Sequence, residues 1–215
     1  MTGLREAWEK LDEPWQLAFN QAWIAYQNDC CPAGTVILDA AGAIVAQANN
    51  RVRTIDTNAR ELADTSLAHA AINALTQIPT VTQHVPDALY STIEPCLMCM
   101  GAIVINGLRR LHFATADFFA GATSLNQSYP PAVELWPKLD GPHSGPISSI
   151  FQCLYVAFHA WITPDGPVAR AYSTNRADLY KRSQAVAEIV EPYKRSKGTA
   201  LKEVFSSLPE TILSR

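Results

Sequence analysis

The chain has 215 residues, of which 48% are hydrophobic and 17% charged, a composition that favours a folded core and excludes an intrinsically disordered chain. The formal net charge is −3, which counts against a general affinity for nucleic-acid phosphates. The sequence pattern shows neither a signal peptide nor an apolar membrane span, so we expect a soluble cytoplasmic protein. Five cysteines in such a chain do not indicate a disulfide framework.

The first elements are a helix and a hairpin. Apolar residues recur with helical spacing over residues 6–28, and Pro14 marks the first turn of the main helix. Two β-rich runs, Thr35–Leu38 and Ala43–Ala48, are joined by a short Gly-containing turn and predict an antiparallel hairpin. Three tryptophans at helical spacing are predicted to lie in the core: Trp8, Trp15 and Trp23.

A polar segment, residues 51–66, then predicts a loop of the kind that lines a pocket. Thr65 or Ser66 could cap a following helix over Leu67–Ile78, which Pro79 stops.

The middle of the chain alternates strands and helices. Ala88–Ile93 predicts a strand, Cys96 to about Gly107 an apolar helix, and Arg109–Ala114 another strand. This order predicts parallel pairing with helices on the sheet faces. With the antiparallel hairpin added, the sheet is expected to be mixed.

The chain after residue 120 combines an irregular segment with several predicted helices. Residues 120–148 are rich in Gly, Pro and Ser and predict an irregular, functional loop. Helices are predicted over 149–162, about 175–190 and about 197–207. We divide the chain into a first domain over 1–165 and a helical C-terminal extension over 166–215, packed on or near it.

The strongest chemical signal is a set of metal-binding residue types. Cys96 and Cys99 form a C-x-x-C motif at a strand-to-helix turn, and His69 precedes them by 27 residues at the start of another helix. Thiolate and imidazole are preferred Zn²⁺ ligands, and three protein ligands leave a fourth position for water, the arrangement of catalytic zinc.

Other interpretations of the pair are a redox motif or two buried cysteines. The combination with His69 favours zinc, because the three residues together are more specific than either part. The remaining cysteines and histidines show no ligand spacing and are interpreted as structural, although the long loop could bring His143 to a pocket: Cys30, Cys31, Cys153, His84, His112, His143 and His159.

These residues resemble the cytidine deaminase superfamily, whose signature is H-x-E followed by P-C-x-x-C. The resemblance covers about residues 15–120 and is nearest to the branch of tRNA adenosine deaminases and bacterial guanine deaminases. It implies that His69, Cys96 and Cys99 hold Zn²⁺ and that Asn50 binds substrate, the alternative for Asn50 being a residue that closes a turn. It also implies a three-layer α/β/α sandwich with a five-stranded mixed sheet, assembled as a homodimer or larger oligomer.

One position departs from the signature. The family has Glu two residues after the histidine, and this chain has Ala71. A carboxylate there moves protons between water, the ring and the leaving amine, and alanine carries no proton. We interpret Ala71 as an engineered replacement of Glu by Ala that traps substrate in an otherwise competent site, since the rest of the motif is whole. The other explanation is a natural pseudo-deaminase.

The leading hypothesis is therefore zinc-dependent hydrolytic deamination of a small nucleoside or nucleobase, with an aminopurine such as guanine or guanosine favoured over cytidine. Water is the co-substrate, and nucleic acid is not the expected partner. The alternatives are a tRNA adenosine deaminase and a non-catalytic, zinc-containing ligand-binding protein. Five aromatic residues are candidates to stack on a base, of which we expect one or two to do so: Phe118, Phe119, Trp136, Phe158 and Trp161.

Overall fold

A computed structural model describes residues 3–55, 60–79, 85–128, 130–209 and 211–212. Its centre is a five-stranded mixed sheet with strand order β2-β1-β3-β4-β5. The strands are β1 (Gly34–Asp39), β2 (Ile44–Asn49), β3 (Pro86–Ser91), β4 (Arg110–Phe113) and β5 (Lys138–Asp140). The helices are α1 (Leu4–Glu9), α2 (Glu13–Gln27), α3 (Ala70–Thr76), α4 (Leu97–Ile105), α5 (Pro130–Leu135), α6 (Pro146–Ile162), α7 (Pro167–Asn175), α8 (Ala177–Arg195) and α9 (Leu201–Ser207).

Helices cover both faces of the sheet, as the predicted α/β fold requires. On one face, Ile37 of β1 and Leu89 of β3 are fully buried against α3 and α4. The opposite face packs against α2 and α6 through Trp15, Phe19 and Phe151. Trp8, Trp15 and Trp23 are buried, which confirms their predicted place in the core.

The pairing of strands differs from the prediction in one respect. β3 pairs with β4, and β4 with β5, in parallel, but β1 pairs antiparallel with both β2 and β3. Strands β2 and β3 run in the same direction as expected, yet β1 lies between them. The connection from β2 to β3, which contains α3, therefore crosses β1, and the order of elements alone does not reveal this.

Several predicted boundaries are wrong. Residues 120–148 are not one irregular loop, because they contain a 3₁₀ helix at Thr123–Ser128, then α5 and the edge strand β5. Helix α3 begins at Ala70, with His69 rather than Thr65 or Ser66 in the capping position. Helix α7 occupies residues between the predicted helices 149–162 and about 175–190, for which no element was predicted.

The C-terminal helices pack on the first part of the chain. Helix α8 lies against α6 and α9 against α1, and Val186, Leu201 and Phe205 belong to the same buried cluster as Trp8 and Phe19. None of the helices within the described residues combines the length and apolarity of a membrane span.

Candidate functional site

The N-termini of α3 and α4 lie close together, and each carries side chains that can bind a metal. His69 is the N-cap residue of α3 and Cys96 is the N-cap residue of α4, while Cys99 lies in the first turn of α4. The Cys96 and Cys99 Sγ atoms are 3.7 Å apart, and each lies 3.6 Å from His69 Nδ1. The structure thus brings together the three residues that the sequence singled out.

The donor set fits one tetrahedral zinc ion. With Zn–S and Zn–N bonds of about 2.3 and 2.05 Å, a tetrahedron places two sulfurs about 3.8 Å apart and a sulfur and a nitrogen about 3.6 Å apart. The measured separations of 3.7 and 3.6 Å match both edges. Three protein ligands would leave one coordination position free, and all three of them line the neighbouring cavity.

The thiols of Cys96 and Cys99 have very different pKa values when no metal is bound. The hydrogen-bonding contact with Cys99, opposed by partial burial, lowers the pKa of Cys96 to about 4. The same contact, together with burial, raises the pKa of the Cys99 thiol. A bound zinc ion must therefore displace the Cys99 proton, since thiolate is the ligand form.

A cavity of about 280 Å³ opens beside the triad, a volume near the lower end for small-molecule sites. We call it the triad pocket. Ala71 and Asn50 both line it. The Asn50 Oδ1 atom accepts a hydrogen bond from Val52 N at 3.2 Å, and Asn50 N donates to Ala33 O at 2.9 Å. Asn50 thus closes a turn and also borders the pocket.

Sequence reasoning missed a polar residue on the pocket floor. Thr35 pairs with Ser91 across β1 and β3, and alternation along β1 puts its side chain on the same face as Ile37, toward α3. Thr35 is fully buried and lines the triad pocket, and its Oγ1 has no hydrogen-bond partner among the described residues. A hydroxyl inside the apolar run Gly34–Leu38 was the signal available in the sequence.

Glu94 holds the loop next to Cys96 in place. Its Oε2 accepts from Asp117 N at 3.1 Å, and its Oε1 accepts from the backbone N–H and the hydroxyl of Thr123 at 3.2 and 2.5 Å. A Cβ at Gly121 would lie 2.3 Å from the Glu94 carboxylate. Only glycine therefore allows the loop to approach this closely.

The part of the pocket lining that comes from α6 and α7 is here called the outer wall. It consists of Tyr155, Phe158 and His159 from α6 and Val168 from α7. The Tyr155 hydroxyl donates to Asp117 Oδ2 at 2.9 Å and ties α6 to the loop that Glu94 holds. Burial lowers the pKa of His159, although Asp117 opposes this shift, so the imidazole faces the pocket as a neutral group at pH 7.

The aromatic candidates divide into two groups. Phe119 and Phe158 line the triad pocket. Trp136 instead donates its indole N–H to Thr123 O at 3.1 Å, Phe118 packs edge-on against Tyr172, and Trp161 lines a different cavity. His143, which the long loop could have brought to a pocket, lies on the other face of the sheet against Trp15, where it lines two cavities other than the triad pocket.

Several known proteins are similar to parts of this chain. A family model of the cytidine and deoxycytidylate deaminase zinc-binding region matches residues 9–115. The tRNA-specific adenosine deaminase of Rickettsia bellii (strain RML369-C) is 31% identical over 115 residues, covering 52% of this chain and 74% of that protein. The tRNA-specific adenosine deaminase of Agrobacterium fabrum is 36% identical over 110 residues, covering 50% and 66%. A solved guanine deaminase from Nitrosomonas europaea shares 20% identity, covers 74% of this chain and 86% of its own, and gives a TM-score of 0.47. The chain belongs to the cytidine and deoxycytidylate deaminase zinc-binding family.

Proposed function

We propose that this scaffold serves the hydrolytic deamination of a small free nucleobase or nucleoside, with an aminopurine such as guanine or guanosine favoured. The observation that carries the proposal is the outer wall, which lines the triad pocket with Tyr155, Phe158, His159 and Val168 of the same chain. A small pocket that the chain's own later helices help to line suits a single base better than a nucleotide held within a folded RNA.

The chain's own residues have defined tasks in this proposal. Zinc held by His69, Cys96 and Cys99 would supply a water of lowered pKa at the open coordination position. Asn50 and Thr35 border the same space and present polar groups to a bound base. Phe119 and Phe158 offer apolar ring surface beside it.

Ala71 removes the group that would move the protons. Among the described residues, two carboxylates line the triad pocket, and both are engaged: each Glu94 oxygen accepts from the 117–123 loop, and Asp117 accepts from Tyr155 and from Phe119 N. Neither is placed as a ready substitute for the missing glutamate. We therefore propose that this chain binds metal and substrate but hardly turns substrate over.

The test is Ala71→Glu. Restoring the carboxylate should raise the rate of ammonia release by about 10²–10⁴-fold on one member of a panel of guanine, guanosine, adenosine, cytosine and cytidine. Ala71→Gln is the matched control, since it fills the same space and carries no proton. Silence of a folded, zinc-loaded Ala71→Glu protein on the panel and on transfer RNA would contradict a deaminase function.

The second candidate is deamination of adenosine in transfer RNA, favoured by the tRNA-specific deaminases among the similar proteins. Such a function needs basic side chains free for phosphates. Arg51 pairs with Glu61 at 3.3 Å, and Arg109 and Arg110 both pair with Asp87. Activity of Ala71→Glu on transfer RNA, with binding that weakens steeply as salt rises, would establish this alternative.

A homodimer is the expected assembly and stays a proposal. Leu97 and Ile105, the first and last residues of α4, have 66% and 83% of their surface exposed. Light scattering should give twice the chain mass, and Ile105→Glu should shift it toward the monomer. A monomeric mass for the unaltered protein would contradict the proposal.

A further inference from the structure

A second cluster of metal-binding residue types lies on the opposite face of the sheet from the triad. His112 of β4 is paired in register with Asp140 of β5, and His143 follows three residues after Asp140. Tyr90 pairs with His112 on the same face, whereas the neighbouring register pair Ser91 and Phe113 faces the triad side. The cluster is therefore separate from the pocket described above.

The three side chains converge on one carboxylate oxygen. Asp140 Oδ2 lies 2.9 Å from His112 Nδ1 and 3.4 Å from His143 Nε2. For ligands about 2.05 Å from a metal, neighbouring donors lie about 2.9 Å apart at a right angle and about 3.4 Å apart at the tetrahedral angle. Both separations are compatible with donors that share one ion; without an ion, His112 and Asp140 form a hydrogen bond across the 2.9 Å contact.

Aromatic neighbours orient both imidazoles. Tyr90 stacks on His112 with ring centroids 4.3 Å apart and an interplanar angle of 13°, and Trp15 packs edge-on against His143 at 5.1 Å. Trp15 and Tyr90 also contact each other at 5.1 Å. The rings are held by packing, so their donor atoms keep their direction without a metal, as a preorganised site requires.

One donor atom in the cluster lacks a hydrogen bond. His143 Nε2 is buried and has no hydrogen-bond partner within the described residues, and Asp140 Oδ2 is its ion-pair neighbour at 3.4 Å. The ion pair compensates this buried nitrogen only in part, and incomplete pairing of a buried polar atom costs free energy. A ligand between His143, His112 and Asp140 would remove that cost.

We propose that His112, Asp140 and His143 form a second metal site for a divalent first-row transition cation, with Zn²⁺ as the reference ion. Two imidazole nitrogens and one carboxylate oxygen suit such an ion better than Ca²⁺ or Mg²⁺, which prefer oxygen ligands. Asp140 is 55% exposed, so water completes the coordination from the solvent side.

The site would fasten the edge of the sheet. Strand β5 has only three residues, all exposed, and it pairs with β4 alone in the described sheet. An ion held by His112 of β4, Asp140 of β5 and His143 just beyond it joins the strand to its neighbour through side chains. The role is structural, and it is independent of the proposed deaminase function.

The test counts metal ions. The purified full chain, incubated with a small excess of ZnCl₂ and desalted, should retain two zinc ions per chain by elemental analysis. His143→Gln and Asp140→Asn should each retain one. Asp165→Asn, which changes an exposed aspartate away from the cluster, is the matched control and should retain two.

A complementary variant keeps the test decisive. Cys96→Ser with Cys99→Ser removes the triad thiolates and should leave one zinc per chain, which the addition of His143→Gln then abolishes. Co²⁺ substitution separates the two sites further, because only the triad gives thiolate-to-metal charge-transfer absorption. Retention of one zinc by the unaltered chain, or of two by folded His143→Gln and Asp140→Asn, would overturn the proposal.

Discussion

The two sides of the triad pocket have different origins. The inner side, with the metal-binding triad and Ala71, lies within residues 9–115, which match the family model. The outer wall comes from α6 and α7, beyond that match. We propose that the inner side sets the type of reaction and that the outer wall sets which molecule fits in the pocket. The following changes test that division, from the largest expected effect to the smallest.

Cys99→Ser should have the largest effect, since it removes a ligand from the inner side. We expect zinc affinity at the triad to fall by more than about 100-fold, because even changes around metal ligands cost 10–100-fold. Competition with a chromophoric chelator measures the affinity. Cys153→Ala, in the core on the other side of the sheet, is the control that should keep it. Unchanged affinity in Cys99→Ser would remove this cysteine from the site.

Tyr155→Phe tests the outer wall. Loss of the hydroxyl leaves the buried Asp117 Oδ2 without its donor at 2.9 Å, and we expect the free energy of unfolding to fall by about 1–3 kcal/mol. Zinc content should not change. In the Ala71→Glu background, KM for the preferred base should rise. A loss of zinc in Tyr155→Phe would show that the two sides are not separable.

Thr35→Val probes the pocket floor with a side chain of nearly equal shape. Since the Thr35 hydroxyl lacks a partner within the described structure, its removal should raise the free energy of unfolding by about 1 kcal/mol. If the hydroxyl binds the base, KM in the Ala71→Glu background should rise at the same time. Chemical denaturation measures the gain in stability, and enzyme kinetics measures the rise in KM. A destabilised Thr35→Val protein would mean that the hydroxyl has an internal partner.

Asp87→Asn should have the smallest effect, at the opposite end of β3 from the pocket. Burial raises the pKa of Asp87, but hydrogen bonds from Arg110 and Arg109 outweigh this effect and hold the pKa below its usual range. The pair therefore stabilises the fold above the pKa of an unfolded aspartate, and this contribution disappears as pH falls through the lower folded value. Since both arginines are largely exposed, we expect about 1 kcal/mol at pH 7. An equal loss for Asp87→Asn at pH 7 and pH 3 would contradict this origin.

The sequence predicted the triad because the chemistry is local: His69 and the Cys96 pair each carry a recognisable pattern at a helix start. It predicted the sheet and most helices from periodicity. It could not reveal β5, whose three exposed residues lack a hydrophobic alternation. Nor could it reveal Thr35 or Tyr155 as pocket residues, because these positions depend on strand register and on the docking of α6.

The double role of α6 has a kinetic consequence. Tyr155 and Phe158 face the pocket, while Phe151 and Leu154 of the same helix belong to the main buried cluster. The helix is therefore anchored in the core and does not swing away as a hinged lid would. A base in the triad pocket would meet a wall that does not move, so we expect differences in affinity among bases to appear mainly as differences in residence time.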